Sequence, residues 1–405
     1  MQKLLIVGGG FAGVWAALVA ARETIHQGRE LQIQLVSKDP YLTMRPRLYE
    51  PDPEGLRAPL KPTLEPVGVD LLVASAERID PIAKTVDVVT EEGARSLTYD
   101  RLILASGSHL AAPSVPGLAE HGWSIDDYEA SVAFDRHLRA LAAMPAAADR
   151  DSFVVLGAGF TGIELALELR RRIEIHSDAA RARKASIFLV DREKVVGASL
   201  GDNPRPVIEA ALAEADVELR LGASVTSVGK GRVSFGTGES IDTFSVISTV
   251  GLTASPLTGQ LPLERDETGR LTTDPMLRVQ GIDSVYAAGD VARAYVDDEN
   301  LALMSCQHAI FMGQMAGFNA AHDILDLPLR PYRQPFYQTC LDLGRSGAVY
   351  TTGWEREVQK RGEEAKKLKR FINSELIYPP ANDRAAILAA ADIDAREDNR
   401  TAAAS

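Results

Sequence analysis

Leu4-Leu5-Ile6-Val7-Gly8-Gly9-Gly10-Phe11-Ala12-Gly13 begins at the fourth residue, and Phe153-Val154-Val155-Leu156-Gly157-Ala158-Gly159-Phe160-Thr161-Gly162 repeats its grammar about 150 residues later. In each stretch an apolar, strand-like run meets G-x-G-x-x-G and then a helical pattern. The first glycine permits a tight turn, the second lets the backbone approach a pyrophosphate, and the third lets the helix pack on the strand. The helix N-terminus then offers free N–H groups and a partial positive charge to the phosphates. Gly8, Gly10 and Gly13 are candidate contacts to one dinucleotide, and Gly157, Gly159 and Gly162 to a second. Two dinucleotides held by one chain point to a flavin and a nicotinamide, the pair most able to react with each other.

The bulk properties fit that reading. A chain of 405 residues, 45% hydrophobic, can bury a large core and divide into two or three domains. A net charge of −12 argues against nucleic acid, whose phosphates need clustered cations, and disfavours an acidic protein acceptor. Cys306 and Cys340 are the only cysteines and form no C-x-x-C, which fits a reducing cytoplasm, no disulfide framework and no metal site. The uncharged run from Leu4 to Ala21 has the hydropathy of a signal peptide or a span, but its glycine spacing makes it a buried first strand and helix.

Strand-like runs at 3–7, 31–36, 71–74, 85–89 and 102–105 alternate with helical segments, so the fold class is α/β with largely parallel sheets. A crossing is expected at 111–117, with Pro113 and Pro116, then a helix at 131–143. Strands at 152–156, 185–190, 217–221 and 244–250 follow, with a return crossing at 253–256. The chain then reads as a flavin domain (1–112 and 254–327), an inserted nicotinamide domain (113–253) and a C-terminal α+β region (328–405). That last region has strands near 337–343 and 348–352, and a small, charged tail from Asp392 that is expected to be disordered.

Asp191 ends the second strand of the nicotinamide domain, where a carboxylate accepts both ribose hydroxyls of NADH and repels a 2′-phosphate. NADH is favoured over NADPH, although Arg192 beside it offers a 2′-phosphate a partner, and an ordinary polar strand end is the plainer alternative. In the first domain Ser37 and Lys38 occupy the equivalent place. Ser37 makes only one such bond well, and Asp39 is a competing contact.

Further motifs resemble the two-dinucleotide flavoprotein reductases of the pyridine nucleotide-disulfide oxidoreductase superfamily. Tyr99-Asp100-Arg101-Leu102-Ile103-Leu104-Ala105-Ser106-Gly107-Ser108 is similar to the family's Y-D-x-L-I-x-A-T-G-S, and Val285-Tyr286-Ala287-Ala288-Gly289-Asp290 to its V-Y-A-x-G-D. Val246–Gly251 resembles its nicotinamide-domain crossover. The resemblance covers roughly residues 1–325. It implies tightly held, non-covalent FAD, with Gly107, Gly251, Gly289 and Asp290 at the dinucleotides and Asp290 on the flavin's ribityl chain.

The segment Pro40-Tyr41-Leu42-Thr43-Met44-Arg45-Pro46-Arg47-Leu48-Tyr49-Glu50 stands where disulfide reductases carry their reactive cysteine pair, so a dithiol relay is excluded and the flavin must pass electrons straight to a final acceptor. It is similar to the P-Y-x-R-P-x-L run of rubredoxin-reductase-like and apoptosis-inducing-factor-like proteins, which implies that Arg45 lies along the flavin's phosphates. The lysine that follows in that pattern is absent, with Tyr49 and Glu50 in its region. Glu164, after the second glycine motif, either works at the meeting of nicotinamide and flavin as an acid or base of raised pKa, or only complements its helix N-terminus.

Met304-Ser305-Cys306-Gln307-His308-Ala309-Ile310-Phe311-Met312-Gly313 resembles the A-Q-x-A-x-Q-x-G helix of type II NADH:quinone reductases and ferroptosis-suppressor oxidoreductases. Gln307 and His308 are thereby candidates to stabilise charge on the reduced flavin, with a structural role for His308 equally open, while Phe311 replaces the second glutamine. Cys340 reads as a core residue. The stretch 354–378 reads as a basic amphipathic helix able to hold the enzyme on the cytoplasmic membrane face beside its quinone, or alternatively packed on the flavin domain, with a homodimer also open. The expected activity is hydride transfer from NADH to FAD and then two electrons to a quinone-type acceptor. The alternatives are a soluble reductase of a small electron-transfer protein and an NADH-sensing flavoprotein of the apoptosis-inducing-factor type.

Overall fold

Strand Lys3–Val7 is apolar after Lys3 because it is the middle strand of a five-stranded parallel sheet covered on both faces. Gln32–Ser37 and Arg101–Leu104 flank it, and Asp70–Val73 and Val285–Ala287 form the edges. This computed structural model describes residues 1–111 and 115–395. A second five-stranded parallel sheet has Ser152–Leu156 at its centre, between Ser186–Asp191 and Ser245–Ser248, with Val217–Leu221 and Trp123–Ser124 outside them. All its strands fall between Arg101–Leu104 and Val285–Ala287 of the first sheet, so the second Rossmann-like unit is an insertion in the first. The two chain crossings run side by side, Ser108–Leu110 pairing antiparallel with Leu252–Ala254. Pro113, in the expected first crossing, lies outside the described residues.

The helix expected at 131–143 spans Tyr128–Ala142. It starts earlier because Asp127 caps it, accepting the Ala130 N–H at 2.8 Å. Helix Cys306–Ile324 crosses helix Phe11–His26 backbone to backbone. A Cβ on Gly313 or Gly317 would lie 2.2 Å from the carbonyl oxygen of Ala12 or Ala16 respectively, so these glycines set how closely helix Cys306–Ile324 approaches the first glycine loop.

The C-terminal region corrects one expectation. Residues 354–378 are not a single helix: Glu357–Arg361 is the third strand of an antiparallel sheet with Gln338–Asp342 and Ala348–Thr352. Its alternating burial is the period-two pattern of a strand, and Gly362, at φ 65°, turns it into helix Gly362–Phe371. A π-helical turn, Ile372–Leu376, follows. The packed structure also extends past Asp392, which pairs with Arg22, and Ile393 is buried. The rest of the expected disordered tail, 396–405, lies outside the described residues.

Candidate active site

The carboxyl ends of both parallel sheets face one cavity of about 2660 Å³, the place where open parallel sheets bind ligands. Gly8, in the cavity wall, and Gly157, outside it, turn the chain at the ends of their strands at φ 122° and 104°, in the region that favours glycine. A Cβ on Gly13 or Gly162 would sit 1.8 Å from the carbonyl oxygen of Gly8 or Gly157, whereas one on Gly10 or Gly159 would meet nothing within 4 Å. The third glycine of each motif is thus a packing residue, and the second leaves the space a pyrophosphate requires. No side chain caps helix Phe11–His26 or helix Phe160–His176, so their N-terminal N–H groups remain for phosphate oxygens. The residues present fit two dinucleotides.

At the ribose positions the two units differ. Asp191 braces the second loop, its Oδ2 accepting the Ala158 N–H at 2.6 Å and its Oδ1 the Glu193 N–H at 2.9 Å. Ser37 is buried under the first loop, where a Cβ on Gly9 would come 2.2 Å from its Oγ. Lys38 is exposed and reaches Glu129 at 3.7 Å. Asp39 is held elsewhere, by Arg57 at 2.8 Å and the Tyr41 N–H at 2.9 Å. Arg57 is itself stacked between the rings of Tyr41 and Tyr128, 4.3 and 4.0 Å from their centroids.

Gly107, Gly289 and Asp290 line the cavity. Burial pushes the Asp290 carboxyl up, while a hydrogen bond from Ser108 and the charge of Arg45 oppose that rise. Arg45 also lines the cavity, but its Nε, Nη1 and Nη2 all donate to protein acceptors, on Asp126 and Ser108. Gly251 is at the return crossing, accepting the Ala111 N–H, and is not part of the cavity wall.

Glu164 lines the cavity with 3% of its surface exposed. Its Oε1 accepts the Asp342 N–H and an Nζ–H of Lys369, each at 2.9 Å. Although no lysine follows Leu48 in the sequence, helix Gly362–Phe371 brings Lys369 to Glu164. Lys369 Nζ lies 5.7 Å from the Tyr49 ring centroid and also donates to the Cys340 carbonyl at 2.9 Å. Burial raises the Glu164 carboxyl to about 7, against the pull of the Lys369 charge. Burial alone would lower the Lys369 ammonium, but the charge and hydrogen bond of Glu164 outweigh it and hold it above its ordinary value. Asp342 joins the cluster to its surroundings, receiving the Tyr49 hydroxyl at 3.1 Å and pairing with Lys366. Lys366 and Lys369, read from sequence as part of a basic membrane face, point into the protein. The signal for this was Lys369 four residues after buried Ala365, on the inner side of its helix.

On helix Cys306–Ile324, Gln307 lines the cavity and its Oε1 faces the Gln338 N–H at 3.4 Å. His308 is not brought to the site. Its ring is buried against Tyr337 and Trp354, with centroids 5.5 and 6.3 Å away, and its Nδ1 meets Ser305 Oγ at 2.8 Å. Burial lowers this imidazole to about 4, so it stays neutral near pH 7, and its Nε2 has no hydrogen-bond partner among the described residues. Sequence reasoning also missed Gln314, one turn past Phe311. It lines the cavity, 3% exposed, and its Nε2 has no hydrogen-bond partner among the described residues. Cys340 is a buried strand residue whose Sγ approaches the Ala365 carbonyl at 3.7 Å.

Comparison with known proteins agrees with this geometry. The pyridine nucleotide-disulphide oxidoreductase family profile matches residues 2–313. An NADH dehydrogenase-like protein of Mycobacterium tuberculosis is 45% identical over 397 residues, covering 96% of this chain and 98% of that protein. A demethylphylloquinone reductase of Synechocystis is 27% identical over 356 residues, 86% of each chain. The solved structure of NDH2 from Plasmodium falciparum with NADH shares the fold, with TM-score 0.76 at 13% identity, over 96% of this chain and 97% of that one. The chain belongs to the pyridine nucleotide-disulphide oxidoreductase family, as an oxidoreductase that works with a flavin and NAD(H).

Proposed function

We propose that this enzyme oxidises NADH and reduces a quinone, with FAD as its flavin. The observation that carries the reading is the continuity of the cavity. Phe160, Thr161 and Glu164 of the nucleotide unit, the first glycine loop, and the apolar side chains Phe311, Met315 and Phe336 all line it. A pyrophosphate seat at Gly10 with Ser37 at the strand end suits FAD, because FMN has neither a pyrophosphate nor a ribose. The negative charge of Asp191 favours NADH over NADPH. The names of the relatives, an NADH dehydrogenase-like protein and a demethylphylloquinone reductase, support a quinone acceptor. We assign residues 1–112 and 254–327 to the FAD domain, 113–253 to the NADH domain, and 328–405 to a region that caps the acceptor side.

Bound there, FAD supplies the capacity to take a hydride from NADH and to give two electrons to a quinone. The sum, NADH + H⁺ + quinone → NAD⁺ + hydroquinone, draws one proton from solvent. Glu164 holds a proton at its carboxyl near neutral pH and releases it toward the cavity, while Lys369 keeps that carboxyl from rising further. Gln307, in the first turn of its helix, adds polarity beside a helix N-terminus that favours negative charge. The unpartnered Nε2 of Gln314 suits a quinone carbonyl as a hydrogen-bond donor, replacing the contact that Phe311 removes. Phe311 and Phe336, edge to face at 5.3 Å, form an apolar wall for the ring.

Among the described residues no helix is long and apolar enough to cross a membrane. Peripheral attachment rests on the end of helix Gly362–Phe371 and the turn Ile372–Leu376, where Phe371 and Leu376 are 48% and 61% exposed. The test of the function is anaerobic NADH oxidation by the purified holoprotein, with and without a short-chain ubiquinone or naphthoquinone. Rapid quinone-dependent turnover is expected. Flavin reduction by NADH without quinone turnover would overturn the assignment in favour of a protein acceptor or a sensing role.

A further inference from the structure

Arg45 belongs to the flavin unit and Asp126 to the segment between strand Trp123–Ser124 and helix Tyr128–Ala142 of the nucleotide unit. Arg45 Nε donates to the Asp126 backbone carbonyl at 2.9 Å, and Nη2 to Asp126 Oδ1 at 2.5 Å. Nη1 donates to Ser108 Oγ at 2.8 Å and lies 3.6 Å from Asp290 Oδ2. Ser108 Oγ in turn donates to Asp290 Oδ2 at 2.6 Å. The second Asp126 oxygen receives the Leu110 N–H at 3.2 Å, so the carboxylate is anchored at the crossing between the units. Arg45, Ser108, Asp126 and Asp290 all line the cavity.

One guanidinium thus neutralises two carboxylates that otherwise repel each other at the wall of the flavin site. Through Ser108 it also fixes one oxygen of Asp290, the aspartate of the flavin motif. From this geometry we infer that Arg45 and Asp126 are positioning residues that form an inter-unit charge clasp, holding the Asp290 carboxylate ready for FAD and making FAD retention depend on how the nucleotide unit is seated. The inference rests on the FAD reading above. It assigns Arg45 a different task from lying along the pyrophosphate, since its donors already have protein acceptors.

The two tasks separate in a double-mutant cycle on the holoprotein: Arg45→Met, Asp126→Asn and the pair, with Arg45→Lys keeping the charge without the fork. The readouts are the FAD dissociation constant, from the fluorescence of released flavin, and the visible flavin spectrum. Arg45→Met leaves two like charges unpaired and should weaken FAD retention by about 10- to 100-fold. Adding Asp126→Asn should recover most of that loss, and Arg45→Lys should fall between wild type and Arg45→Met. If the two substitutions weaken retention independently, with no recovery in the pair, Arg45 acts on the phosphates and the clasp is wrong. If Arg45→Met fails to fold, the inference still predicts weaker retention for both Arg45→Lys and Asp126→Asn, and an unchanged dissociation constant in both overturns it. A wild-type chromophore that proves to be FMN sinks the cofactor reading, a result distinct from an FAD-loaded wild type whose variants show no coupling.

Discussion

Glu164 and Lys369 are 205 residues apart in sequence and share one hydrogen bond, and the balance between burial and pairing makes Glu164 a group that titrates near neutrality. Burial disfavours the carboxylate and raises its pKa; the lysine charge favours it and pulls the pKa back. Glu164 carries its proton below about 7 and loses it above, so if it feeds quinone reduction, turnover should fall as pH rises through that value. Glu164→Gln cannot exchange a proton and should lower kcat by about 10²-fold with the inflection gone. Lys369→Met removes the opposing charge and should move the inflection upward. Steady-state pH profiles of the three proteins check this, and an unchanged inflection in Glu164→Gln would exclude Glu164 as the titrating group. Glu164 was legible from the sequence because it follows a fixed glycine motif. Lys369 was not, because its partner is set by how the C-terminal helix docks, which no local pattern encodes.

At the scale of elements, the crossing of helices Phe11–His26 and Cys306–Ile324 links cofactor loop to acceptor wall. Gly13 and Gly162 were readable because their motif demands close approach, and the structure gives the reason in the carbonyl oxygens of Gly8 and Gly157. Gly313 was readable only as the last position of the resembling motif and Gly317 carried no signal, since only the partner helix reveals why four-residue spacing of glycine matters. In isolation Gly317→Ala should favour its helix by about 1 kcal/mol. In the protein the added methyl must push against the Ala16 backbone, and overpacking of this kind costs about 1–3 kcal/mol, toward the upper end where the neighbour is rigid backbone. The net expectation is a destabilisation of about 1–2 kcal/mol by urea unfolding of the holoprotein. A more stable Gly317→Ala would mean that the crossing relaxes freely and does not hold Gln307 in register. The misread stretch 354–378 fails for a related reason: Val358 fits either period until the strand Ala348–Thr352 pairs with it.

For the whole molecule, the carboxyl ends of the parallel sheets open on one cavity and the C-terminal region supplies part of its wall. That region turns Ala365 and Lys369 inward and leaves Phe371 and Leu376 outward, with exposed Lys367 and Arg370 among them. Leu376 lines the cavity as well as being 61% exposed, as Ile372 and Ile377 also line it, so the apolar patch adjoins the acceptor end. An enzyme whose acceptor dissolves in lipid gains from having that end against the bilayer, and flanking cations add attraction to anionic headgroups. Binding to vesicles of phosphatidylglycerol and phosphatidylcholine is therefore expected in a flotation assay. Replacing both Phe371 and Leu376 with Ser removes two partly exposed side chains worth about 1–2 kcal/mol each at the interface, enough for roughly a tenfold or greater loss of partitioning. Turnover with a short-chain, water-soluble quinone should survive in Phe371→Ser alone, because Phe371, unlike Leu376, is not part of the cavity wall. Equal flotation of variant and wild type would move the membrane contact elsewhere, and loss of the soluble-quinone activity would make the patch part of the acceptor site itself.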